Sequence, residues 1–312
     1  MPTSHSRFEV SLSPNISQWD KKVESIVENE DGSIRVQFSD KSFAEGTFLA
    51  GCDGTRSKVR EILCGLNETD PDNRALPVRF LGASVDLRSD TISRLRALDP
   101  LFFQASHPND SFMFFGIQDT RHDSKIETQL GTCRCQIIVS WPYRKGFLDE
   151  NDPIAIPQAK EEKLSLMRRI AGAWTNPFRD AVYSIPEDTS LLAINLEDYL
   201  PSHGAWDNLG GRATLLGDAA HAMTMYRGEA ANHAFKDVED LIERMMEHKL
   251  DIPTVCFSYE KTMIDRTRRA VLASRQACLD AHEHGRIDHR SPLISKRAIV
   301  PGDVDYIDSP VL

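Results

Sequence analysis

The sequence predicts an α/β (α+β mixed) fold from three observations. Two segments, Leu49 to Arg60 and Ala213 to Leu241, each run from a short apolar strand through a turn of Gly and Asp into a helix, as expected where strands and helices are layered together. Between them, from Pro77 to about Leu196, strand candidates are separated by Pro- and Asp-rich turns. A long helix then follows the second segment.

Taken in order, Val23 to Val27 and Ser33 to Phe38 flank Asp31-Gly32 and read as a hairpin. The strand through Phe48 to Ala50 delivers Asp53 into its turn. In the middle of the chain, Phe80 to Leu87, Ser111 to Ile117 and Gln136 to Trp141 are the strand candidates, with one helix from Gln158 to about Ala173. They predict an antiparallel sheet with helices on one face, a floor for a substrate pocket. Ala213, Thr214, Leu215 and Leu216 have the length and branching of a buried strand. Beyond Gly217-Asp218, the residues Ala231, Ala234, Phe235, Val238, Leu241, Ile242, Met245 and Met246 recur at helical spacing as an apolar face. A helix from about Thr254 to Ala281 closes the fold. Its Arg266, Arg268 and Arg269 read as a solvated face, and Asp288 to Leu312 is Pro-rich and irregular.

The second turn has the chemistry of a nucleotide site. Asp218 is an acceptor-only carboxylate suited to sugar hydroxyls, and Gly228 lets backbone approach a ligand at the helix start. That helix N-terminus directs its N–H groups at an anionic or electron-rich partner.

At 312 residues with 40% hydrophobic content, the chain is long enough for two domains or one large one. A net charge of −10 argues against nucleic acid and against an anionic membrane surface. No apolar leader follows Met1 and no apolar run reaches membrane-spanning length, so a soluble cytoplasmic protein is expected. The six cysteines, Cys52, Cys64, Cys133, Cys135, Cys256 and Cys278, form no disulfide framework. Alternation around Cys133-x-Cys135 reads as a strand rather than a metal site. The N-x-S/T matches at Asn15, Asn67 and Asn109 are at chance level without a secretory signal.

Gly51-Cys52-Asp53-Gly54-Thr55-Arg56-Ser57-Lys58-Val59-Arg60 meets the pattern G-A-D-G-x-x-S-x-V-R at every position except Cys52. Gly217, Asp218, Ala219, Ala220, His221, Gly228, Asn232, Ala234 and Asp237 fall in register with G-D-A-A-H-x-x-x-P-x-x-G-x-G-x-N-x-A-x-x-D. Together the blocks resemble the FAD-dependent monooxygenases of the aromatic hydroxylase type. The resemblance extends to Trp206 through Arg212, to Tyr259-Glu260 and to Arg266.

The resemblance implies an incomplete FAD-binding Rossmann-like domain with an antiparallel-sheet substrate domain. Residues 1–75 form a partial FAD-binding domain with the Asp-Gly motif, 76–200 the substrate domain, 201–248 the return of the FAD-binding domain, and 249–312 a C-terminal helix and tail. Members of this family begin with a strand, a G-x-G-x-x-G turn and a helix that cradle the FAD pyrophosphate, and no such glycine pattern occurs in this sequence. The chain therefore resembles a truncated monooxygenase lacking that N-terminal segment.

In such an enzyme NADPH or NADH reduces FAD, which uses dioxygen to oxygenate an electron-rich ring or alkene. By resemblance, Asp218 accepts a hydrogen bond from a ribityl hydroxyl. Gly228, Ala231 and Asn232 place donors by the pyrimidine edge of the ring. Asp53, Gly54 and Arg60 brace the turn beneath the pyrophosphate, and the same motif is linked to the nicotinamide cofactor. No catalytic residue is assigned. His221 is expected to hydrogen-bond backbone and fix the turn, Asp237 to make a helix-packing or interdomain contact, and Tyr226 and Arg227 to lie in a surface loop near substrate.

Two departures bear on the cofactor loop. Met225 stands where the family has Pro, removing a fixed φ. Ala230 replaces the second Gly, a costly change if the position needs φ > 0. With the absent cradle, they predict weak flavin binding by this chain alone. The leading expectation is a monooxygenase acting on a hydrophobic small molecule of the kind modified in secondary metabolism. The alternatives are a non-catalytic relative serving as a binding or interaction protein, and another flavoenzyme of the same fold. A halogenase is disfavoured by the lack of a Trp-rich motif with a pocket Lys. The sequence also predicts that the strands ending at Asp53 and Gly217 lie side by side, since both turns serve one cofactor.

Overall fold

The computed structural model describes residues 17–118, 132–249 and 251–295, and these divide into two units. One runs through Asp72 and takes in Pro201–His221 and Asn232–Arg266; the other holds Asn73–Leu200, Ala222–Ala231 and the chain from Thr267 onward. The match at Asn15 and the tail beyond residue 295 lie outside the described residues.

In the first unit, β1 (Val23–Glu28) and β2 (Ile34–Phe38) pair antiparallel, with Gly32 at φ +81 in the turn between them. The exposed strand β3 (Phe43–Gly46) adds to β2; its side chains all face solvent, so no alternation marks it in the sequence. The second sheet is small. β4 (Leu49–Gly51) pairs in parallel with β10 (Ala213–Leu215), in the register Leu49 with Ala213 and Gly51 with Leu215. The strands that deliver the two motif turns are thus neighbours, as the sequence predicts. Helix α1 (Lys58–Leu66) follows β4, and α5 (Asp218–His221) and α6 (Ala230–Glu247) follow β10. The Ile252–Arg266 half of the long helix α7 (Ile252–Ala281) also belongs to this unit.

The second unit is built on an antiparallel sheet in the order β6-β7-β8-β5-β9, formed by β5 (Arg74–Arg88), β6 (Phe102–Ser106), β7 (Phe112–Ile117), β8 (Thr132–Pro142) and β9 (Leu191–Asp198). Alternate residues of β5, β7 and β8 point to one face, where Leu81, Val85, Phe115 and Ile137 meet Leu95, Met167, Ile170 and Val182. Among the described residues three helices supply that layer, not the single helix expected: α2 (Ser89–Arg96), α3 (Lys160–Ala171) and α4 (Phe178–Tyr183). Eight and six residues are too few for α2 and α4 to show a helical period. The expectation of helices on one face also needs correction. Val78, Phe112 and Leu196 on the opposite face pack against Tyr226 and against Ala277, Cys278 and Ala281 of α7. Cys133 and Cys135 lie on β8, where burial pushes the Cys135 thiol up to about 12. The architecture is therefore α/β, with mixed helices and antiparallel sheets and one parallel strand pair. Among the described residues, no helix is long and apolar enough to cross a membrane.

Candidate functional site

The site begins where β4 and β10 end. After β4 the chain turns through Gly54 at φ +83, and a side chain there would enter open space. Glycine is needed for its backbone rather than for lack of room. The exposed Asp53 carboxylate accepts from the N–H groups of Lys58 at 2.7 Å and Val59 at 3.0 Å and from the Ser57 hydroxyl. Asp53 therefore satisfies the orphan donors at the start of α1.

Arg60 joins the two motifs. Its buried guanidinium donates to the carbonyls of Thr55 at 2.8 Å, Pro71 at 3.0 Å and Ala219 at 2.9 Å. Thr55 lies in the first turn and Ala219 in the second, so one planar fork fixes their separation. Asp218 opens α5 half-buried, with the Thr55 hydroxyl 3.5 Å from its carboxylate. At that distance the contact is weak and leaves most of the oxygens' accepting capacity for a ligand.

Behind Asp218 is a buried charged cluster. Asp237 on α6 accepts from the Gly217 N–H at 2.7 Å, from His221 Nε2 at 2.7 Å and from Arg266 at 2.6 Å. Burial pushes its carboxyl up, but the His221 hydrogen bond and charge, the Gly217 N–H and Arg266 outweigh that and hold it below its ordinary 3.8. His221 thus fixes the turn through a carboxylate on α6 rather than through backbone, correcting the expectation. Because a carboxylate only accepts, its Nε2 carries the hydrogen, and among the described residues its buried Nδ1 has no partner. Arg266 is no solvated residue either: it also contacts Asp240 at 3.4 Å and His233 at 2.8 Å.

A second cluster lies beneath β10. Glu260 accepts from Trp206 at 2.7 Å, Asn208 at 2.9 Å and Thr214 at 2.9 Å. Burial pushes its carboxyl above the ordinary range against the pull of these donors. The sequence marks Trp206, Glu260 and Arg266 as family-like, but their roles depend on contacts more than twenty residues apart and are silent in any local pattern.

In the second unit, a 3-10 turn over Met225–Arg227 ends on Gly228, exposed at φ +63. The Gly228 N–H donates to the Met225 carbonyl at 2.9 Å. Gly228 therefore contributes a left-handed turn without a Cβ, not the N–H donor expected of it. Ala231 and Asn232 are exposed in the first turn of α6, where backbone N–H groups have no partner within the helix. Ala230 opens α6 and carries no positive φ, so its methyl causes no backbone strain. Tyr226 and Arg227 are buried, contrary to the surface loop expected. The Tyr226 hydroxyl donates to Ser140 at 3.0 Å, and Arg227 pairs with Glu229 at 2.8 Å.

No family model matches the chain. A probable FAD-dependent monooxygenase of Arthroderma benhamiae is 46% identical over 305 residues, covering 93% of this chain and 70% of that protein. The chain belongs to the FAD-dependent monooxygenases. A second relative, the FAD-dependent monooxygenase dbaB of Emericella nidulans, is 39% identical over 66% of this chain and 50% of its own length. Among solved structures, Klebsiella pneumoniae HpxO complexed with FAD and uric acid matches with a TM-score of 0.64 at 22% identity, covering 84% of this chain and 58% of that one. That likeness shows a shared fold. The chain spans 70% of the length of the first relative and half of the second. FAD is the cofactor of this family of oxidoreductases.

Proposed function

We propose that this chain carries the ribityl and ring side of the flavin site of an FAD-dependent monooxygenase. The reaction would use NAD(P)H and dioxygen to oxygenate a hydrophobic small molecule, of the kind made in secondary metabolism, in the cytoplasm. The observation that carries the reading is the state of the two motif carboxylates. Asp53 is occupied by backbone N–H groups, whereas Asp218 keeps free accepting capacity on a turn that Arg60 and Asp237 hold in place.

These residues fit part of a flavin. Asp218 would accept from a ribityl hydroxyl, the open space over Gly54 leaves backbone accessible, and the N–H of Asn232, which has no partner within its helix, suits an electron-rich ring oxygen. Arg60 and Asp53 act by bracing the turns. The sequence offers no G-x-G-x-x-G turn for the pyrophosphate, so tight binding would draw on donors beyond these residues. When bound, FAD would supply electron transfer from NAD(P)H to dioxygen. The names of the relatives do not favour a non-catalytic binding protein.

The test is purification with FAD, followed by retained flavin, NADPH oxidation and hydrogen peroxide release. Flavin binding that depends on Asp218, together with substrate-stimulated NADPH oxidation that releases less peroxide than NADPH consumed, supports the reading. Flavin binding unaffected by Asp218→Ala, with turnover abolished by His221→Ala, overturns it in favour of acid–base chemistry.

A further inference from the structure

One face of the sheet in the second unit is covered by helices, and the other is covered only in part. The register sets Phe112 opposite Ser140, Phe114 opposite Ile138, and Gly116 opposite Gln136, which is itself opposite Ser84; residues opposite one another share a face. Phe112 and Ser140 lie against Tyr226, with the two rings 5.0 Å apart and the Tyr226 hydroxyl on Ser140. Further along the strands the cover ends: Phe114 is half-buried, while Leu192 on β9 and Phe102 on β6 are 56% and 49% exposed. The turn carrying Met225 and Tyr226 stands at this boundary, where Gln104 of β6 donates to the Tyr226 carbonyl at 3.3 Å. The sheet is therefore the floor, and that turn the wall, of an open recess.

The floor is flat because of a glycine. A side chain at Gly116 would begin 3.0 Å from Cε1 and 3.1 Å from Cζ of Phe114, so the Phe114 ring lies along the strand over Gly116. Gly116 has no positive φ, so the backbone would accept a side chain and the ring would not. Phe102 stacks beside Phe114, with ring centroids 6.3 Å and planes 25° apart. A Cβ at position 116 would lift the Phe114 ring off the sheet and into the recess. Laid flat, the ring offers its π face to another ring in offset stacking.

The polar groups beside that ring have spare hydrogen-bonding capacity. Half-buried Gln136 and exposed Ser84 face each other across β8 and β5, and among the described residues neither side chain has a hydrogen-bond partner. Gln104 spends an N–H on Tyr226 and keeps its amide oxygen as an acceptor. Arg134, next on this face of β8, is held by Asp86 at 3.0 Å. These residues offer amides and a hydroxyl but no unpaired charge, so an ionised carboxylate would leave water without gaining a cationic partner. We propose that this recess takes the monooxygenase's substrate as a flat, uncharged ring system bearing hydroxyl or carbonyl groups. Phe114 is its stacking face, Gly116 the residue that positions Phe114, and Gln136 the group that selects the polar substituent. The inference rests on the monooxygenase reading for the recess being a substrate site; ring binding itself needs no flavin.

The test is calorimetric titration of the chain at neutral pH with three probes of one bicyclic skeleton: naphthol, flat and uncharged; naphthoate, flat and anionic; and decahydronaphthol, uncharged but puckered. Naphthol is expected to bind about tenfold tighter than either of the others. Gly116→Ala and Phe114→Leu should each weaken naphthol about five- to tenfold. The double variant should bind no more weakly than Phe114→Leu alone, because the glycine acts only through the ring. Gln136→Leu should weaken naphthol about fivefold and leave naphthalene binding unchanged. No naphthol binding, equal affinity for the three probes, a preference for naphthoate, or additive losses in the double variant would overturn the inference. The three probes on the parent chain decide it even where a variant does not fold. Naphthol binding by a chain that holds no flavin supports the recess and counts against the monooxygenase reading. Flavin held through Asp218 with no naphthol binding supports that reading and overturns the recess.

Discussion

Arg60 Nη1 lies 2.9 Å from the carbonyl oxygen of Ala219, across 159 residues of sequence. The same guanidinium donates to Thr55 and Pro71, so one side chain locks the Asp-Gly turn to the Gly-Asp turn. Lysine cannot reproduce the fork, because its three donors radiate from a single nitrogen. Arg60→Lys is expected to cost about 1–2 kcal/mol and Arg60→Ala about 2–4 kcal/mol, since the buried Ala219 carbonyl and the part-buried Thr55 and Pro71 carbonyls lose a charged donor. Urea denaturation of the two variants checks the order and the size.

Asp237 holds Gly217, His221 and Arg266 together, so its removal should damage the fold more than loss of any one partner. Asp237→Ala unpairs the Gly217 N–H and His221 Nε2 and leaves the part-exposed Arg266 with Asp240 at 3.4 Å as its acidic partner, with an expected cost of about 2–4 kcal/mol. His221→Ala removes one charge-assisted bond and should cost about 1.5–3 kcal/mol. The folded carboxyl is held below its ordinary 3.8, so Asp237 binds protons more weakly folded than unfolded. Its stabilisation is complete above about pH 4 and is lost as pH falls through the folded value. Asp237→Asn should flatten stability against pH in that acid window.

His282 supplies a second pH-dependent term. It is buried between the Cys278 carbonyl at 2.7 Å and the Ser140 hydroxyl at 2.9 Å. Burial pushes its pKa from 6.5 down to about 4, against the Cys278 hydrogen bond and the Asp110 charge, which raise it. Between those values the unfolded chain binds a proton that the folded chain does not, so stability rises from about pH 4 to about pH 6.5. In His282→Gln that slope should disappear. Chemical denaturation at half-unit steps through the window measures it.

The parallel strands were legible because apolar runs ending in Gly-Asp or Asp-Gly turns are local signals, and both turns carry their own capping chemistry. The orientation of α6 was not. Periodicity groups Phe235, Val238, Ile242 and Met246 correctly on one face but does not say whether that face is covered. What decides it is Arg266, 29 residues from Asp237, which the sequence alone presents as one more arginine of a charged helix. Tyr226 is hidden for a related reason: a polar, glycine-flanked loop reads as surface, yet its hydroxyl has a buried partner in Ser140, 86 residues away. Ala230 is a costly change only if the position needs a positive φ, and the helix that begins there has none.

Flavin titration of the parent chain and Asp218→Ala, followed by quenching of flavin fluorescence, tests the central claim most directly. The account predicts that the parent binds FAD more weakly than micromolar, because the pyrophosphate lacks its glycine-turn donors. It predicts that Asp218→Ala weakens binding a further five- to hundredfold, about 1–3 kcal/mol for a buried hydroxyl left unpaired. Equal flavin affinity in the parent and the variant, with both folded by circular dichroism, would contradict it.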